Sequence, residues 1–304
     1  MIEVSCSVSK LLEQKEELLT VFKPLLENKK VFFLDVPVYL NVGDSLIYLG
    51  TKELFRLLNV RVLGSISACE PSRLEKLKVD KDVVFVFQGG GNFGDIYSLH
   101  QEFRHLALSR FPDNQFILMP QSIHYNNPNS FKTDCDLYRR HQKFDIFVRD
   151  KFSFDKFIFE NVNQVKLCPD IATLLVGTFK LPASKVDTKL FFLRKDIEAV
   201  SDTEINNSVD WIDITPKKYL RLLSFTKFIV KKNNRLNVSG LTDYLVSNLH
   251  VKLVSNAYSY FSCYGQVRTD RLHGLILSQL LQMNCEALDN KYKKLERYIK
   301  RWYA

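Results

Sequence analysis

Arginine and histidine side chains cluster at the start of one predicted helix. The stretch "RTDRLHGLILSQLL", residues 268–281, places Arg268, Arg271 and His273 just before leucines that a helix could bury. Basic residues are unfavourable at a helix N-terminus, where unpaired backbone N–H groups and the helix dipole favour an anion. The stretch therefore predicts an anion site, and the structural alternative is that Asp270 pairs with one of the arginines.

Two further arginines follow predicted strands. Arg149 ends the strand in "FDIFVRD" and Arg194 ends the strand in "KLFFLRKD", and each has an aspartate within two residues. A salt bridge would explain either arginine alone. Together with Arg271, however, they would place guanidinium forks, which suit carboxylate and phosphate groups, at the mouths of two half-sheets.

A glycine-rich stretch, "FQGGGNFGD", follows the buried strand "DVVFVF". Its polar and glycine residues are Gly89, Gly90, Gly91, Asn92 and Asp95. Its G-x-G-x-x-G spacing matches a dinucleotide site, but the next strand ends without the carboxylate that would hold a ribose. Asp95 would also repel a pyrophosphate. We therefore predict a glycine turn that presents polar groups, with a plain chain reversal as the alternative.

A similar stretch follows the preceding strand. "NVGDSLIYLG" supplies Asn41, Gly43 and Asp44 ahead of an amphipathic helix. An N-cap would account for these residues alone. Two such stretches at consecutive strand ends favour a site, because the ends of parallel strands lie at the same edge of a sheet.

The composition excludes several classes of protein. The chain has 304 residues, of which 46% are hydrophobic, and a net charge of +9. It lacks an apolar run of about 20 residues that could span a bilayer, and it lacks a signal peptide, so we expect a cytoplasmic protein. Six scattered cysteines predict neither a disulfide framework nor a metal site. The positive charge suits an anionic substrate or membrane surface, and nucleic acid is the least favoured partner because no nucleic-acid motif is present.

Strands alternate with helices along the chain, and the strands are continuous apolar runs, which predicts parallel sheets covered on both faces. We expect an α/β fold of two Rossmann-like halves that face a cleft. The predicted domains are residues 1–178 and 179–304, with a linker at 176–189. In the second half we predict helices around 216–230 and 241–249, and a strand at 251–255.

Two short segments have competing interpretations. "TDCDL", residues 133–137, contains the D-x-D signature of some glycosyltransferases, but a helix start explains it better. "NKYKKLERYIKRWYA", residues 290–304, is favoured as a terminal helix that packs its aromatic side on the core. The alternative is that this segment rests on an anionic membrane face.

The ordered motifs resemble those of the polysaccharide pyruvyl transferases, which place a pyruvate ketal on a sugar. They are "NVGDSLIYLG", "FQGGGNFGD", "FVRDKFS", "CPDIA", "FFLRKDIE", "TDRLHGLILSQLL" and "LDNKYKKL", which run from residue 41 to 295. The resemblance implies an architecture similar to GT-B glycosyltransferases, with phosphoenolpyruvate as the donor and no cofactor or metal.

The resemblance also implies roles for residues. Arg271, Leu272 and His273 match the family's R-L-H motif and would lie in the donor site. Positions that match other motifs, with roles less defined, are Asp44, Asn92, Asp95, Arg149 and Asp150. We hypothesise that His273 is an acid, a base or a phosphate donor, that Arg271 and Arg149 hold the anion, and that Asp44 or Asp95 is the hydroxyl base.

The acceptor stays open between a lipid-linked oligosaccharide, a sugar nucleotide and a finished polymer, and contact with the inner face of the membrane is one further expectation. The competing functions are a GT-B-like glycosyltransferase that uses a sugar nucleotide and a non-catalytic protein that binds carbohydrate or membrane.

Overall fold

The chain forms alternating strands and helices. The computed structural model describes residues 2–181, 188–195, 207–236, 239–289 and 293–303. In chain order the strands are β1 (Ile2–Val4), β2 (Lys30–Leu34), β3 (Arg61–Ile66), β4 (Val84–Phe87), β5 (Gly90–Gly94), β6 (Gln115–His124), β7 (Phe144–Val148), β8 (Val165–Leu167), β9 (Lys189–Phe192), β10 (Gln266–Thr269) and β11 (Asn284–Ala287). The α/β class is confirmed.

The helices fall between the strands. They are α1 (Val8–Leu26), α2 (Val42–Leu57), α3 (Pro71–Lys76), α4 (Ser98–Arg110), α5 (Pro128–Arg140), α6 (Lys151–Phe159), α7 (Trp211–Ile214), α8 (Lys217–Leu236), α9 (Ser239–Phe261), α10 (Leu272–Leu280) and α11 (Lys294–Trp302), with a 3₁₀ turn at Ile171–Leu175. No helix in the described ranges combines the length and the apolar character that a membrane span requires.

The larger sheet has the strand order β3-β2-β4-β6-β7-β8, with β5 beside β6, and all of its pairings are parallel. Its central strand β4 is buried at every position. Parallel strands need crossover connections, and helices on both faces bury the apolar side chains that alternate across the sheet. The carboxyl ends of these strands therefore lie along one edge.

The smaller sheet has the order β1-β11-β10-β9, in which β9, β10 and β11 are parallel and β1 is antiparallel to β11. Residues 2–4 therefore belong to the sheet of the C-terminal strands. The predicted boundary at residue 178 lies between β8 and β9, and most of the predicted linker, residues 182–187, lies outside the described residues. The domain division and the likeness to GT-B enzymes stay predictions.

Helix α2 joins the two sheets through shared packing. Val42 and Leu46 of α2 lie in one apolar cluster with Leu272 and Ile276 of α10. A Cβ atom on Gly50 of α2 would lie 2.3 Å from the carbonyl oxygen of Ile171, so glycine permits the close approach of α2 to the 3₁₀ turn. This packing holds the starts of α2 and α10 side by side.

The strand predicted at residues 251–255 is wrong, because this segment lies inside α9. The buried residues of this helix repeat at helical spacing and are Leu245, Val246, Leu249, Leu253, Val254, Ala257 and Phe261. A five-residue window cannot distinguish this repeat from a short apolar strand, whereas the longer window shows one buried helical face.

The predicted glycine turn also differs from the structure, since Gly90–Gly94 forms strand β5 beside β6. Gly90 and Gly94 have φ values of +129° and +134°, which L-residues with a side chain rarely adopt. A Cβ atom on Gly94 would lie 1.7 Å from the carbonyl oxygen of His124. The glycines therefore let β5 lie against β6.

The terminal helix α11 packs against the core, as predicted. Its Leu295, Tyr298, Ile299 and Trp302 are buried. Part of the segment that carried this prediction, residues 290–292, lies outside the described residues. The apolar side chains of α11 are thus used inside the protein.

Candidate functional site

A cavity of about 460 Å³ opens where strands of both sheets end. Its volume is in the range of small-molecule sites, roughly 300–1,000 Å³. The lining residues are Tyr39, Leu40, Asn41, Asp44, Gly91, Asn92, Tyr97, His100, Arg149, Arg194, Asp210, Trp211, Ile212, Arg271, Leu272 and His273. They follow β2, β5, β7, β9 and β10, which is where α/β proteins commonly place their ligands.

Nine of the residues singled out in the sequence line this cavity. They are Asn41, Asp44, Gly91, Asn92, Arg149, Arg194, Arg271, Leu272 and His273. Five others do not line it, namely Gly43, Gly89, Gly90, Asp95 and Asp150. The roles assigned to all of these residues stay predictions.

Asp44 lies in the first turn of α2 and faces the cavity. Asn41 caps the helix by accepting a 2.9 Å hydrogen bond from the N–H of Gly43, and its Nδ2 donates to Asp44 Oδ2 at 2.7 Å. Burial raises the pKa of the Asp44 carboxyl, although His273 and the Tyr39 hydroxyl act in the opposite direction. Asp44 is therefore a cavity carboxyl that holds a proton more readily than an exposed aspartate does.

Two glycines act on the site through the space that they leave. A Cβ atom on Gly43 would lie 2.5 Å from Nδ1 of His273, so the ring of His273 packs on the backbone of α2. A Cβ atom on Gly90 would lie 3.1 Å from Asp44 Oδ1. Gly43 and Gly90 therefore shape the cavity without lining it.

Arg149 is held at the end of β7 by buried partners. Its Nε donates to Ser122 Oγ at 3.0 Å and its Nη1 donates to Asp170 Oδ2 at 2.5 Å. Its Nη2 makes no hydrogen bond to the residues that the structure describes, which leaves this donor for an anion.

Asp170 joins Arg149 to His273. It begins the 3₁₀ turn, and its Oδ2 lies 3.3 Å from Nε2 of His273 without the alignment of a hydrogen bond. Burial would raise the pKa of Asp170, but the neighbouring His273 and Arg149 outweigh burial and hold this pKa well below its usual range. Asp170 is therefore an ionised anchor for two residues of the cavity.

Helix α11 supports this anchor from behind. Nε1 of Trp302 donates to the backbone carbonyl of Arg149 at 2.8 Å, and the hydroxyl of Tyr298 accepts from the backbone N–H of Asp170 at 3.1 Å. The buried aromatic side of α11 thus fixes the backbone at both ends of the Arg149–Asp170 pair.

Arg271 occupies the N-cap position of α10 without capping it through its side chain. Its Nε and Nη2 both donate to the carboxylate of Asp210, which precedes α7. Asp210 also accepts a 3.0 Å hydrogen bond from the backbone of Lys195, next to the cavity residue Arg194. Asp270, the expected partner of an arginine side chain, instead accepts from the backbone N–H of Arg194 at 2.8 Å.

Arg268 does not belong to this group. It lies in β10, and its Nε donates to Glu286 of β11 at 2.5 Å. The prediction of three basic residues at one helix start is therefore wrong for Arg268, because the helix begins at Leu272 and Arg268 is still part of the strand.

A histidine–aspartate pair that sequence reasoning missed lies on the opposite wall. Nδ1 of His100 lies 2.6 Å from Oδ1 of Asp35, a buried residue with φ +61°. Oδ2 of Asp35 accepts from Nδ2 of Asn92 at 3.4 Å and lies 3.5 Å from Nη2 of Arg104. These contacts orient His100, whose ring edge faces Tyr39. The pair is suited to proton transfer.

The remaining predicted residues have structural contacts. Asp95 accepts from the backbone N–H groups of Asn126 and Asn127, at 2.8 and 2.7 Å. Asp150 caps α6 through the N–H of Ser153 at 2.8 Å. Both carboxylates thus hold loops or helices that surround the cavity.

Gly89 packs closely, since a Cβ atom there would lie 2.9 Å from the carbonyl oxygen of Pro120. The D-x-D segment lies inside α5, whose N-cap is Asn127, so it does not open the helix. Asp134 is buried and binds Gln101 and Tyr125. Neither this segment nor Gly89 lines the cavity.

Three of the missed residues left weak signals. Asp35 ends the strand segment "KVFFLDVP", Asp170 lies in "CPDIA", and Asp210 begins a helix with Asp213 at the capping-box spacing. An arginine expected in a buried site requires a carboxylate partner, so each of these aspartates was a candidate. The sequence does not pair them, because the partners are far apart along the chain.

The arrangement has a definite chemical capacity. Three arginines and the open N-terminus of α10 can bind an anion with two charged groups, and Asp44, His100 and His273 can exchange protons beside it. Within the described ranges no group of three histidine, cysteine or acidic residues could hold a metal ion.

Comparisons with known proteins place the chain in a family. The sequence profile described as polysaccharide pyruvyl transferase matches residues 41–290. The chain is 30% identical over 294 residues to the putative pyruvyl transferase EpsO of Bacillus subtilis (strain 168), covering 95% of this chain and 90% of that protein. It is 34% identical over 151 residues to pyruvyl transferase 1 of Schizosaccharomyces pombe (strain 972 / ATCC 24843), covering 47% of this chain and 38% of that protein.

A solved structure shares the fold. A functionally uncharacterised protein from Klebsiella pneumoniae subsp. pneumoniae NTUH-K2044 superposes with a TM-score of 0.64 at 20% identity, covering 95% of this chain and 94% of that chain. The profile match extends from the cap of α2 past the start of α10 and so includes nearly all of the cavity. The chain belongs to the polysaccharide pyruvyl transferase family.

Proposed function

We propose that the protein transfers the pyruvyl group of phosphoenolpyruvate to a sugar as a cyclic ketal. One observation carries this proposal: Arg149, Arg194 and Arg271, contributed by separate strand ends, line the same cavity as His273. Phosphoenolpyruvate has a carboxylate and a phosphate on a three-carbon frame, so it needs two cationic contacts a short distance apart.

The start of α10 suits the phosphate or the carboxylate. No side chain caps this helix, so the first N–H groups of its backbone remain for a ligand. Asp210 holds Arg271 beside this terminus, and Asp170 holds Arg149. Fixed guanidinium groups lose little conformational entropy on binding, because the protein has already ordered them.

The reaction balances without a further reagent. A proton adds to the methylene carbon of the donor, which becomes a methyl group, and a sugar hydroxyl attacks the neighbouring carbon. The bond from this carbon to the phosphate oxygen breaks, and a second hydroxyl of the sugar closes the ketal ring. Of the two hydroxyl protons, one replaces the proton given to the methyl carbon and the other leaves with inorganic phosphate.

Two groups of residues would divide the proton transfers. His273 lies among the arginines and is the acid or the phosphate donor on the donor side. Asp44, whose pKa burial raises, and the His100–Asp35 pair lie on the other wall and are the bases for the sugar hydroxyls. Asp95 is left out of this mechanism because its oxygens bind the backbone of Asn126 and Asn127.

The test is a phosphate-release assay with phosphoenolpyruvate and a panel of acceptors, namely lipid-linked oligosaccharides, sugar nucleotides and polymers. A ketal product is the acceptor mass plus a pyruvyl group minus water. We expect release that depends on the acceptor and that is lost in His273→Ala. Phosphate release without an acceptor, or no product mass with any acceptor, would contradict ketal transfer.

The glycosyltransferase alternative is tested in the same assay. Sugar nucleotides are supplied as donors without phosphoenolpyruvate, and release of nucleoside diphosphate is measured. We expect none, because the D-x-D segment lies within α5 and its Asp134 is engaged by Gln101 and Tyr125. Consumption of a sugar nucleotide would replace the proposed function with glycosyl transfer.

A further inference from the structure

Helix α8 has an unusual composition for a helix on the surface of a protein. Its sequence, "KKYLRLLSFTKFIVKKNNRL", contains seven lysine and arginine residues and no aspartate or glutamate. Exposed helices commonly alternate charges of both signs, because pairs three or four residues apart stabilise them. This helix carries a large share of the net charge of +9.

The cations occupy one face. At 100° per residue, the exposed residues of α8 fall within about half of its circumference. They are Lys217, Lys218, Arg221, Ser224, Phe225, Lys227, Phe228, Lys231 and Lys232. The opposite face is buried through Leu223, Thr226, Val230 and Asn233. The fold therefore requires only the second face.

Two phenylalanines lie in the middle of the cations. Phe225 and Phe228 are 52% and 56% exposed, and a spacing of three residues places them on the same face. Lys232 Nζ lies 5.6 Å from the ring centroid of Phe228. Two large apolar side chains that remain this exposed between cations contribute little to the core, so the fold does not explain them.

No carboxylate lies within 4 Å of the cations of this face in the parts of the chain that the structure describes. Helix α11 differs in this respect, since its Lys300 binds Glu296 and its Tyr298 and Trp302 are buried. The exposed face of α8 therefore has both free charge and free apolar surface, whereas α11 has neither in the same measure.

The face begins beside the mouth of the cavity. Helix α7, which immediately precedes α8, contributes Trp211 and Ile212 to the cavity lining, and Ile212 is 50% exposed. Only Thr215 and Pro216 separate α7 from Lys217. A surface that bound this face would thus lie next to the opening.

We propose that the exposed face of α8 binds an anionic lipid bilayer, with Phe225 and Phe228 inserted at the headgroup level and the cations on lipid phosphates. Such a face, cationic and carrying aromatic side chains, is typical of helices that lie in a membrane interface. Nucleic acid fits less well, since a convex helix face offers no groove for a strand. The proposal assumes nothing about the donor or the acceptor.

The experiment is co-sedimentation of the full chain with vesicles of phosphatidylcholine alone or with about 30% phosphatidylglycerol, at about 0.15 M salt. We expect binding to the anionic vesicles only. The charge variant Lys227→Glu/Lys231→Glu and the apolar variant Phe225→Ser/Phe228→Ser should each lower the partition coefficient at least about tenfold. All four residues are exposed, so both variants should fold, and circular dichroism would check this.

Matched variants elsewhere serve as controls. Lys132→Glu/Arg140→Glu on α5 makes the same change in charge, and we expect it to leave binding within about twofold. Phe152→Ser/Phe159→Ser on α6 is the matched apolar change, since Phe159 is 83% exposed. An equal loss in either control would show that α8 is not the binding face.

Other outcomes would also overturn the proposal. Binding that the charge variant abolishes and the apolar variant leaves intact would mean electrostatic attraction without insertion. Binding lost in Lys300→Glu/Arg301→Glu but kept in both α8 variants would assign the contact to α11. Displacement of the protein from vesicles by an equal phosphate concentration of single-stranded DNA would favour nucleic acid.

Discussion

The two helices that begin at the cavity, α2 and α10, start in opposite ways. Asn41 caps α2 through the N–H of Gly43, Asp44 follows in the first turn, and His250 binds Ser45 at 2.9 Å. Helix α10 begins at Arg271 with no side-chain cap and no acidic residue in its first turn.

The difference shows which helix start serves the fold and which serves a ligand. Negative charge and a side-chain cap stabilise α2 locally. A guanidinium at the start of α10 is unfavourable, and Asp210 offsets this cost from 61 residues away while the backbone N–H groups stay open. An anion that binds there would complete what the sequence leaves unsatisfied.

The strongest test of the comparison is His273→Ala in α10. We expect phosphoenolpyruvate turnover to fall by roughly 1,000-fold, the usual range for a lost acid–base group. The melting temperature should change little, because the ring packs on Gly43 at the edge of the cavity. His105→Ala, outside the cavity, is the control in the phosphate-release assay. Near-normal turnover in the His273 variant would remove this residue from the mechanism.

A smaller effect is expected for Arg271→Lys. Lysine keeps the charge but cannot bind Asp210 through two parallel N–H groups, so we expect kcat/KM for phosphoenolpyruvate to fall about 100-fold, mostly through KM. Arg268→Lys on β10 is the matched control, since Arg268 binds Glu286 and does not line the cavity. Similar kinetic losses in both variants would show that the start of α10 is not the special position.

Gly43→Ala tests the contact between the two helix starts. The new methyl group would lie 2.5 Å from Nδ1 of His273, so the ring must move. We expect kcat/KM to fall about tenfold, since displacement of a catalytic group by part of an ångström is costly. Gly240→Ala, which meets nothing within 4 Å, is the control and should retain activity. An unchanged kcat/KM in the Gly43 variant would mean that the position of the ring is not critical.

The smallest effect concerns the local support of α2 by His250. Burial lowers the pKa of His250 to about 4, and its Nε2 donates to the carbonyl of Pro37. The unfolded state therefore binds the proton first as the pH falls. The free energy of unfolding should decrease by about 3 kcal/mol between pH 6.5 and 4 from this residue. Urea denaturation of His250→Gln should show a flatter pH dependence than the wild type. Parallel curves would contradict this linkage.

Much of the fold could be predicted from local sequence. The buried apolar runs of β4 and β7 and the helical repeat of α1 require only a window of about ten residues. The strand predicted at 251–255 failed for the same reason, since a window that is too short hides the longer repeat of α9. Pairing of β1 with β11 involves residues 283 or more positions apart, which no local pattern records.

The site divides in a similar way. Arg149, Arg271 and His273 were identifiable because their types conflict with their positions, at strand ends and at a helix start. Asp35, Asp170 and Asp210 were missed because they act on partners 65, 21 and 61 residues away. Asp95 misled because an aspartate that binds loop backbone and one that faces a cavity give the same sequence pattern.

The support that α11 gives to Arg149 and Asp170 has a consequence during synthesis. The indole of Trp302 and the hydroxyl of Tyr298 reach partners that the ribosome adds 153 and 128 positions earlier. A nascent chain can pair the strands of the larger sheet long before α11 emerges. Its arginine pocket would still lack rear support, so affinity for the donor should arise only when the last helix docks.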